Sequence, residues 1–184
     1  MKLIVTCILI TLIAGCKSLV SKDASAKFIN EKEPVSMLVY PVRVIHGNVI
    51  DKDPELSKQL ISKLSEFDKI KFLTTNDTIS IPFQWRHNQA GMLRQSATGF
   101  SAGIAKANIE TDYALLIEVL GNYKETWVVG VHYYICNKKG EIVKLSLNNS
   151  HWETFQQVNP KNRQDGMQVA VKMLTEFFKN REAK

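Results

Sequence analysis

Cysteine is scarce in this chain of 184 residues, which has only three cysteines, two of them within the first 16 residues. Beyond Cys16 the one thiol is Cys136, so the rest of the chain cannot form an internal disulfide framework. It does not need one, because a chain of about 150 residues buries enough apolar surface to stabilise a domain. Since Cys136 follows the apolar run Val131–Ile135, we expect its thiol to be buried.

Long hydrophobic runs are also missing. The apolar stretch Leu3–Ala14 has 12 residues and includes Thr6 and Thr11. Crossing a bilayer takes about 20 apolar residues, so this stretch is too short for a transmembrane helix.

Metal-binding and phosphate-binding patterns are absent from the sequence. The chain has four histidines: His46, His87, His132 and His151. None lies two or four residues from another, and only Cys136 shares a strand face with His132. Zinc needs at least three protein ligands. With no glycine-rich phosphate loop either, we predict no metal and no cofactor.

Charge is not concentrated in any part of the chain. Lys and Arg number 24 and Asp and Glu 18, for a net charge of +6. This mild excess is weak support for acidic partners such as lipid headgroups or wall polymer, and an ordinary solvated surface explains it more simply. Because no recognition motif for nucleic acid is present, nucleic acid is not an expected partner.

The N-terminus has the features of a secretory signal. A basic start, Met1-Lys2, precedes the apolar stretch, and Leu12-Ile13-Ala14-Gly15-Cys16 closes it. This ending resembles the lipobox of bacterial lipoproteins. The resemblance implies cleavage before Cys16, a diacylglycerol on its sulfur and an acyl chain, such as palmitate, on its amino group. Several acyl chains are enough for stable anchoring. An ordinary signal peptide and a retained helix are the alternatives.

The lipobox resemblance divides the chain into three parts. Residues 1–15 form the signal peptide, and residues 16–34 form the lipidated Cys16 with a polar, flexible tether. Residues 35–184 form a single α/β domain. In enterobacterial lipoproteins an Asp after the cysteine retains the protein in the inner membrane. Lys17 stands there, so the resemblance implies a cell-envelope protein on the periplasmic face of the outer membrane.

The hydrophobic pattern predicts a mixed α/β domain with the order β-α-β-α-β-β-β-α. We expect one mixed sheet with helices packed on it. The predicted elements are strands at 37–45, 70–75, 113–120, 127–136 and 141–148 and helices at 54–69, 88–108 and after Pro160. Pro41 limits ladder pairing in the first strand and suggests an edge or a turn there, and residues 47–48 and 51–54 are expected to form a loop. Asp53 is the expected N-cap of the first helix and Asn108 the expected C-cap of the second. The last three strands are expected to form an antiparallel meander, with Gly140 in a hairpin loop. This order is similar to small periplasmic α/β domains. They include the amino-terminal domain of the Tol-Pal propeller protein and the lipoprotein activators of peptidoglycan synthases. By analogy, the likeness implies a protein-binding role.

One motif suggests a nucleophile. Gly99-Phe100-Ser101-Ala102-Gly103 matches G-x-S-x-G, in which a sharp strand-to-helix turn exposes the serine. Asp112 with His132 or His151 would complete a triad in the right chain order. However, the residues before Gly99 continue a helical stripe, and the domain is too small for a typical hydrolase fold. We therefore interpret the motif as small residues that let a helix pack closely.

Two segments combine aromatic and polar side chains as binding sites do. The first contains Phe83, Trp85 and Arg86, residue types that are enriched at interfaces. The second contains Asn149, His151 and Trp152, which suit a sugar or a peptide. The simpler interpretations are a loop that tucks its aromatic side chains into the core and a turn whose polar side chains satisfy its own backbone.

These observations favour a non-enzymatic envelope lipoprotein that docks to an envelope protein or to peptidoglycan. Two alternatives stay open. One is a hydrolase acting on wall or lipid esters through Ser101 or His151, and the other is a periplasmic binder of small ligands. The sequence does not indicate an oligomeric state.

Overall fold

The computed structural model describes residues 18–86, 88–121 and 127–183. The described residues form one mixed sheet of seven strands with five helices packed against it, which confirms the predicted fold class. The helices are α1 (Lys22–Asn30), α2 (Pro54–Leu64), α3 (Gln89–Ala107), α4 (Glu153–Val158) and α5 (Arg163–Glu182). The strands are β1 (Val35–Val39), β2 (Val42–His46), β3 (Val49–Asp53), β4 (Ile70–Thr74), β5 (Tyr113–Gly121), β6 (Val128–Asn137) and β7 (Ile142–Asn149). The predicted signal peptide, Cys16 and His87 lie outside the described residues.

Strand β5 organises the sheet. On one side, β1 and β2 lie end to end and both pair with β5 in parallel. Beyond them, β4 pairs with β1 in parallel and β3 pairs with β2 in antiparallel fashion. On the other side, β5, β6 and β7 form the predicted antiparallel meander. The ionisable residues of β2, β5 and β6 therefore lie on neighbouring strands.

Pro41 interrupts the first predicted strand and divides it into β1 and β2. The sequence suggested an edge or a turn here, because proline cannot donate to a ladder. Instead the break lies inside the sheet, where a side chain from α2 replaces the missing pairing. The Ser57 hydroxyl accepts the Val42 N–H at 3.0 Å and donates to the Tyr40 carbonyl at 3.1 Å.

Part of the predicted tether is helical, so the expectation of a flexible coil through residue 34 is wrong for α1. Ser21 caps this helix by accepting the Ala24 N–H at 3.2 Å. Phe28 is fully buried and packs edge-on against Tyr113, with ring centroids 4.9 Å apart. The Arg181 guanidinium also donates to the Phe28 carbonyl. The polar residues that suggested a coil are the solvated side of a docked helix.

Other boundaries differ from the prediction in smaller ways. Helix α2 ends at Leu64, five residues early, and a turn follows it. Residues expected to form a loop after Gly47 form β3, which pairs with β2 across a turn in which Gly47 has φ +60°. The short helix α4 was not expected. None of the described helices is both long and apolar enough to cross a membrane.

The two faces of the sheet have different cores. Helices α1, α2, α4 and α5 cover one face, here named the α5 face, with a large cluster of aliphatic and phenylalanine side chains. Helix α3 covers the other, the α3 face. Residues 75–86, named the strap, have no regular secondary structure and lie along α3. Both aromatic segments singled out in the sequence are associated with the α3 face or the end of the sheet beside it.

Candidate functional site

The two predicted binding segments meet at one end of the sheet. We name this region the distal end and define it as Asn48, Phe83–Arg86, Gln89, Trp127–Val129 and Asn149–Trp152. The backbone N–H of Trp85 donates to the Asn48 side chain at 3.1 Å. Gln89 accepts from the Asn149 amide at 3.0 Å and donates to the Val129 carbonyl at 2.9 Å. Hydrogen bonds therefore join the strap to the turn between β2 and β3, and the first turn of α3 to strands β6 and β7.

Two tryptophans at the distal end are unusually exposed. Trp127 is 56% exposed and Trp152 is 53% exposed. The β6–β7 register pairs Gly130 with Asn149, so the two tryptophans lie just beyond the same end of this ladder. Exposed large aromatic side chains are typical of binding surfaces rather than of a core. Trp127 is not among the candidate residues predicted from the sequence, because its position depends on this register.

The strap aromatics are half-buried. Phe83 and Trp85 pack against a small cluster formed by Ile45, Met92 and Leu120, while Arg86 is exposed. The rings therefore contact the core, as the simpler interpretation had it, and also present an edge to solvent. This packing fixes the position of the strap beside the distal end.

The Asn149–Trp152 segment is a turn. The Asn149 side chain accepts the His151 N–H at 3.1 Å, and its carbonyl accepts the Trp152 N–H at 2.9 Å. His151 and Trp152 are exposed. The polar residues thus satisfy the backbone, as the simpler interpretation had it, and the same turn holds two ring-bearing side chains in solvent.

A buried charged cluster, which the sequence analysis missed, lies beneath the strap. We name Arg43, Glu118, His132 and Tyr134 the buried quartet. Arg43 donates to one Glu118 oxygen at 2.6 Å, and Tyr134 donates to the other at 2.7 Å. His132 Nδ1 lies 3.2 Å from the Tyr134 hydroxyl and 3.5 Å from Glu118. All four side chains are buried.

The environment of the buried quartet keeps Glu118 ionised. Burial alone disfavours its charge, but the hydrogen bond from His132 and the charge of Arg43 outweigh this and hold the pKa of Glu118 below its usual range. Burial and the neighbouring carboxylate raise the pKa of Tyr134 well above its usual value. Arg43 also lies under the Phe83 ring, 5.7 Å from its centroid. The quartet is thus a fixed support for the strap.

Register explains how the buried quartet forms. Arg43 pairs with Glu118 across β2 and β5, and Glu118 pairs with His132 across β5 and β6. These side chains share one face of three neighbouring strands. The available sequence signal was a polar ionisable residue inside each apolar strand, but only the pairing of the strands brings Arg43, Glu118 and His132 together.

Ser101 does not lie on a nucleophile elbow. It is in the middle of α3, and its hydroxyl donates to the Gly140 carbonyl at 2.6 Å. Asp112 instead accepts hydrogen bonds from Ser36, His132 belongs to the buried quartet and His151 is at the distal end. The structure therefore does not assemble the triad that the sequence allowed.

The glycines of the motif let the strap approach α3. A Cβ on Gly99 would lie 2.7 Å from Ile81 Cγ2, and one on Gly103 would lie closer still to Ile79 Cγ2. Real Cβ atoms do not come this close. The interpretation of the motif as helix packing agrees with these contacts.

Cys136 is fully buried, and burial raises the pKa of its thiol to about 12. A thiol in such a setting is not a ready nucleophile. No group of three or more potential metal ligands occurs among the residues that the structure describes.

No protein-family model matches this chain, and no curated protein does so either. Among solved structures, the chain is similar to the C-terminal domain of LpoB from Salmonella enterica, with 16% sequence identity and a TM-score of 0.40. The match covers 68% of this chain and 90% of that one. That protein belongs to the lipoprotein activators of peptidoglycan synthases named in the sequence analysis. The likeness to the Tol-Pal propeller protein stays a prediction.

Proposed function

We propose that this chain is a lipid-anchored envelope protein whose distal end docks to another protein of the cell envelope. The observation that carries the proposal is the convergence of both aromatic segments and of Trp127 at one end of the sheet. Tryptophan and arginine supply much of the binding energy at protein interfaces, because they bury a large area and retain a polar group.

The position of the N-terminal segment supports an orientation in which the distal end faces away from the membrane. Val20 forms a bridge with Ile142 at the start of β7, whereas Trp152 follows the end of the same strand. At about 3.3 Å per residue, the eight residues of β7 separate these points by about 25 Å. The chain therefore enters the domain at the end opposite to the exposed tryptophans.

The proposed anchor is the acylated Cys16, left by removal of residues 1–15 and located on the periplasmic face of the outer membrane. Because α1 is docked on the domain, the segment from Cys16 to Ser21 spans at most about 18 Å. Such a short connection holds the entry end near the bilayer. The distal end then faces away from the membrane, where an envelope partner is accessible.

Site-specific photocrosslinking in cells tests the proposal. A photoreactive residue replaces Trp127, Trp152 or, as a control, Lys172, which is exposed on α5. We expect one envelope protein to be crosslinked from both distal positions and not from Lys172. Equal crosslinking from all three positions, or none from the distal ones, would contradict docking through this end. Predominant capture of wall polymer would instead identify peptidoglycan as the partner.

The anchor is tested separately with Cys16→Ala in the same crosslinking background. We expect this variant to leave the membrane fraction and to give a lower crosslinking yield at Trp152. A variant that stays in the membrane fraction would contradict lipidation at Cys16. It would not contradict docking through the distal end, which the crosslinking positions test.

A further inference from the structure

A long open groove runs between the strap and the exposed side of α3, away from the distal end. Its volume is about 940 Å³, and its walls include Thr78, Ser80, Arg94, Thr98 and Lys106. Small residues of α3 form much of its floor. The groove is therefore wide enough for an extended chain with its side chains.

The charge of this groove has one sign. No acidic residue lines it, and the sequence of α3 contains none from Gln89 to Ala107. Neither Arg94 nor Lys106 makes an ion pair within the part of the chain that the structure describes. Twelve positions apart on a helix, the two residues are separated by about 18 Å. The groove thus presents one cation towards each end.

The backbone of the strap beside this groove has N–H and C=O groups without hydrogen-bond partners among the described residues. Its side chains alternate as in a strand, with Ile79 and Ile81 towards α3 and Thr78 and Ser80 exposed. Among the described residues, no hydrogen bond is made by the backbone N–H or C=O groups of Thr78–Ile81. An extended segment of this kind pairs readily with a further extended chain.

We propose that this groove binds an extended acidic peptide segment of a partner protein. The peptide backbone pairs with the strap, and two of its carboxylates bind Arg94 and Lys106. An extended chain rises about 3.3 Å per residue and its side chains alternate between two faces, so carboxylates six residues apart lie on one face and match the separation of the two cations. A sulfated or uronic polysaccharide would satisfy the cations but has no regular row of amides for the strap.

Fluorescence anisotropy with the full mature domain and a labelled synthetic peptide tests this proposal. The peptide has two Glu residues six positions apart, on the same face of an extended chain, in an otherwise Thr and Val background. We expect Arg94→Glu/Lys106→Glu to weaken binding at least about tenfold, since each attraction becomes a repulsion. The matched control is Lys63→Glu/Lys172→Glu, which changes net charge equally on exposed residues of the α5 face. We expect it to bind like the wild type.

Two further probes separate the parts of the proposal. A peptide with N-methylated backbone amides is expected to lose most of its affinity, whereas equal binding would overturn strand pairing with the strap. Equal weakening by the control variant would show that only net charge matters and would overturn the site. Tighter binding of polyuronate than of the peptide would assign the groove to a polysaccharide and overturn the peptide proposal.

Discussion

The two faces of the sheet bury different kinds of side chain. On the α5 face, rings pack on rings: Phe178 is fully buried and lies within about 6 Å of the rings of Phe28, Phe67 and Phe72. On the α3 face, the sheet buries the charged quartet, and glycines of α3 contact the strap. The first arrangement stabilises the fold chiefly through apolar area, and a buried guanidinium, that of Arg181, donates to main-chain carbonyls of Phe28 and Glu33. The second also fixes the position of the strap, and through it the distal end.

The largest expected effect is on the α5 face. Phe178→Ala removes a fully buried ring from the centre of an aromatic cluster, and we expect it to lower the free energy of unfolding by about 3–5 kcal/mol. Urea denaturation followed by far-UV circular dichroism measures this loss. A loss below about 1 kcal/mol would show that this face is loosely packed and that the comparison of the two faces is wrong.

Substitutions in the buried quartet are expected to lower the free energy of unfolding nearly as much. Glu118→Gln leaves Arg43 buried without a counter-charge, at a cost of about 3 kcal/mol. In Arg43→Met/Glu118→Gln the unpaired charge is gone, so we expect the double variant to be more stable than Glu118→Gln alone. A double-mutant cycle from urea denaturation gives this coupling. Additive effects of the two substitutions would contradict a coupled pair.

The quartet also predicts a difference in acid stability. The pKa of Glu118 is lower in the folded than in the unfolded state, so its ionisation stabilises the fold above the unfolded pKa. This contribution disappears as the pH falls through the lowered folded pKa. We therefore expect unfolding free energies measured between pH 7 and pH 3 to fall less steeply for Glu118→Gln than for the wild type. Identical slopes would mean that the pKa of Glu118 is the same in the folded and unfolded states.

The smallest effect is expected where the strap meets α3. In Gly103→Ala the new Cβ displaces Ile79, which costs about 1–2 kcal/mol and offsets the gain in helix propensity. Gly91→Ala on the same helix is the matched control, because its Cβ would lie an ordinary 3.8 Å from Asn88. We expect the control to be neutral or slightly stabilising and Gly103→Ala to increase proteolysis within the strap. Equal behaviour of the two variants would contradict close strap packing.

Local signals predicted much of the fold correctly. The sequence indicated Asp53 as the cap of α2 and Asn108 as the end of α3. In the structure Asp53 accepts the Leu56 N–H, and Asn108 has φ +48°. The meander and its Gly140 turn were also predicted, because alternation and turn residues are local properties. Helix α1 was missed, since its two buried residues, Ala24 and Phe28, are a weak pattern in a polar segment.

The candidate site could be predicted only in parts. Phe83, Trp85, His151 and Trp152 were recognised from composition, but their meeting at one end depends on the pairing of distant strands. Trp127 and the buried quartet depend on the same long-range register, which a single sequence does not encode locally. The cations of the α3 groove were likewise ordinary surface residues until the strap was placed beside them.

The most direct test of docking through the distal end measures stability and partner binding in a double tryptophan variant and in a surface control. Trp127→Ala/Trp152→Ala removes two side chains that are more than half exposed, so we expect a change in unfolding free energy within about 0.5 kcal/mol. Partner recovery after chemical crosslinking in intact cells is expected to fall at least about tenfold. Lys172→Ala is the surface control and retains the partner. A stable double tryptophan variant that recovers the same partner in full would contradict docking through the distal end.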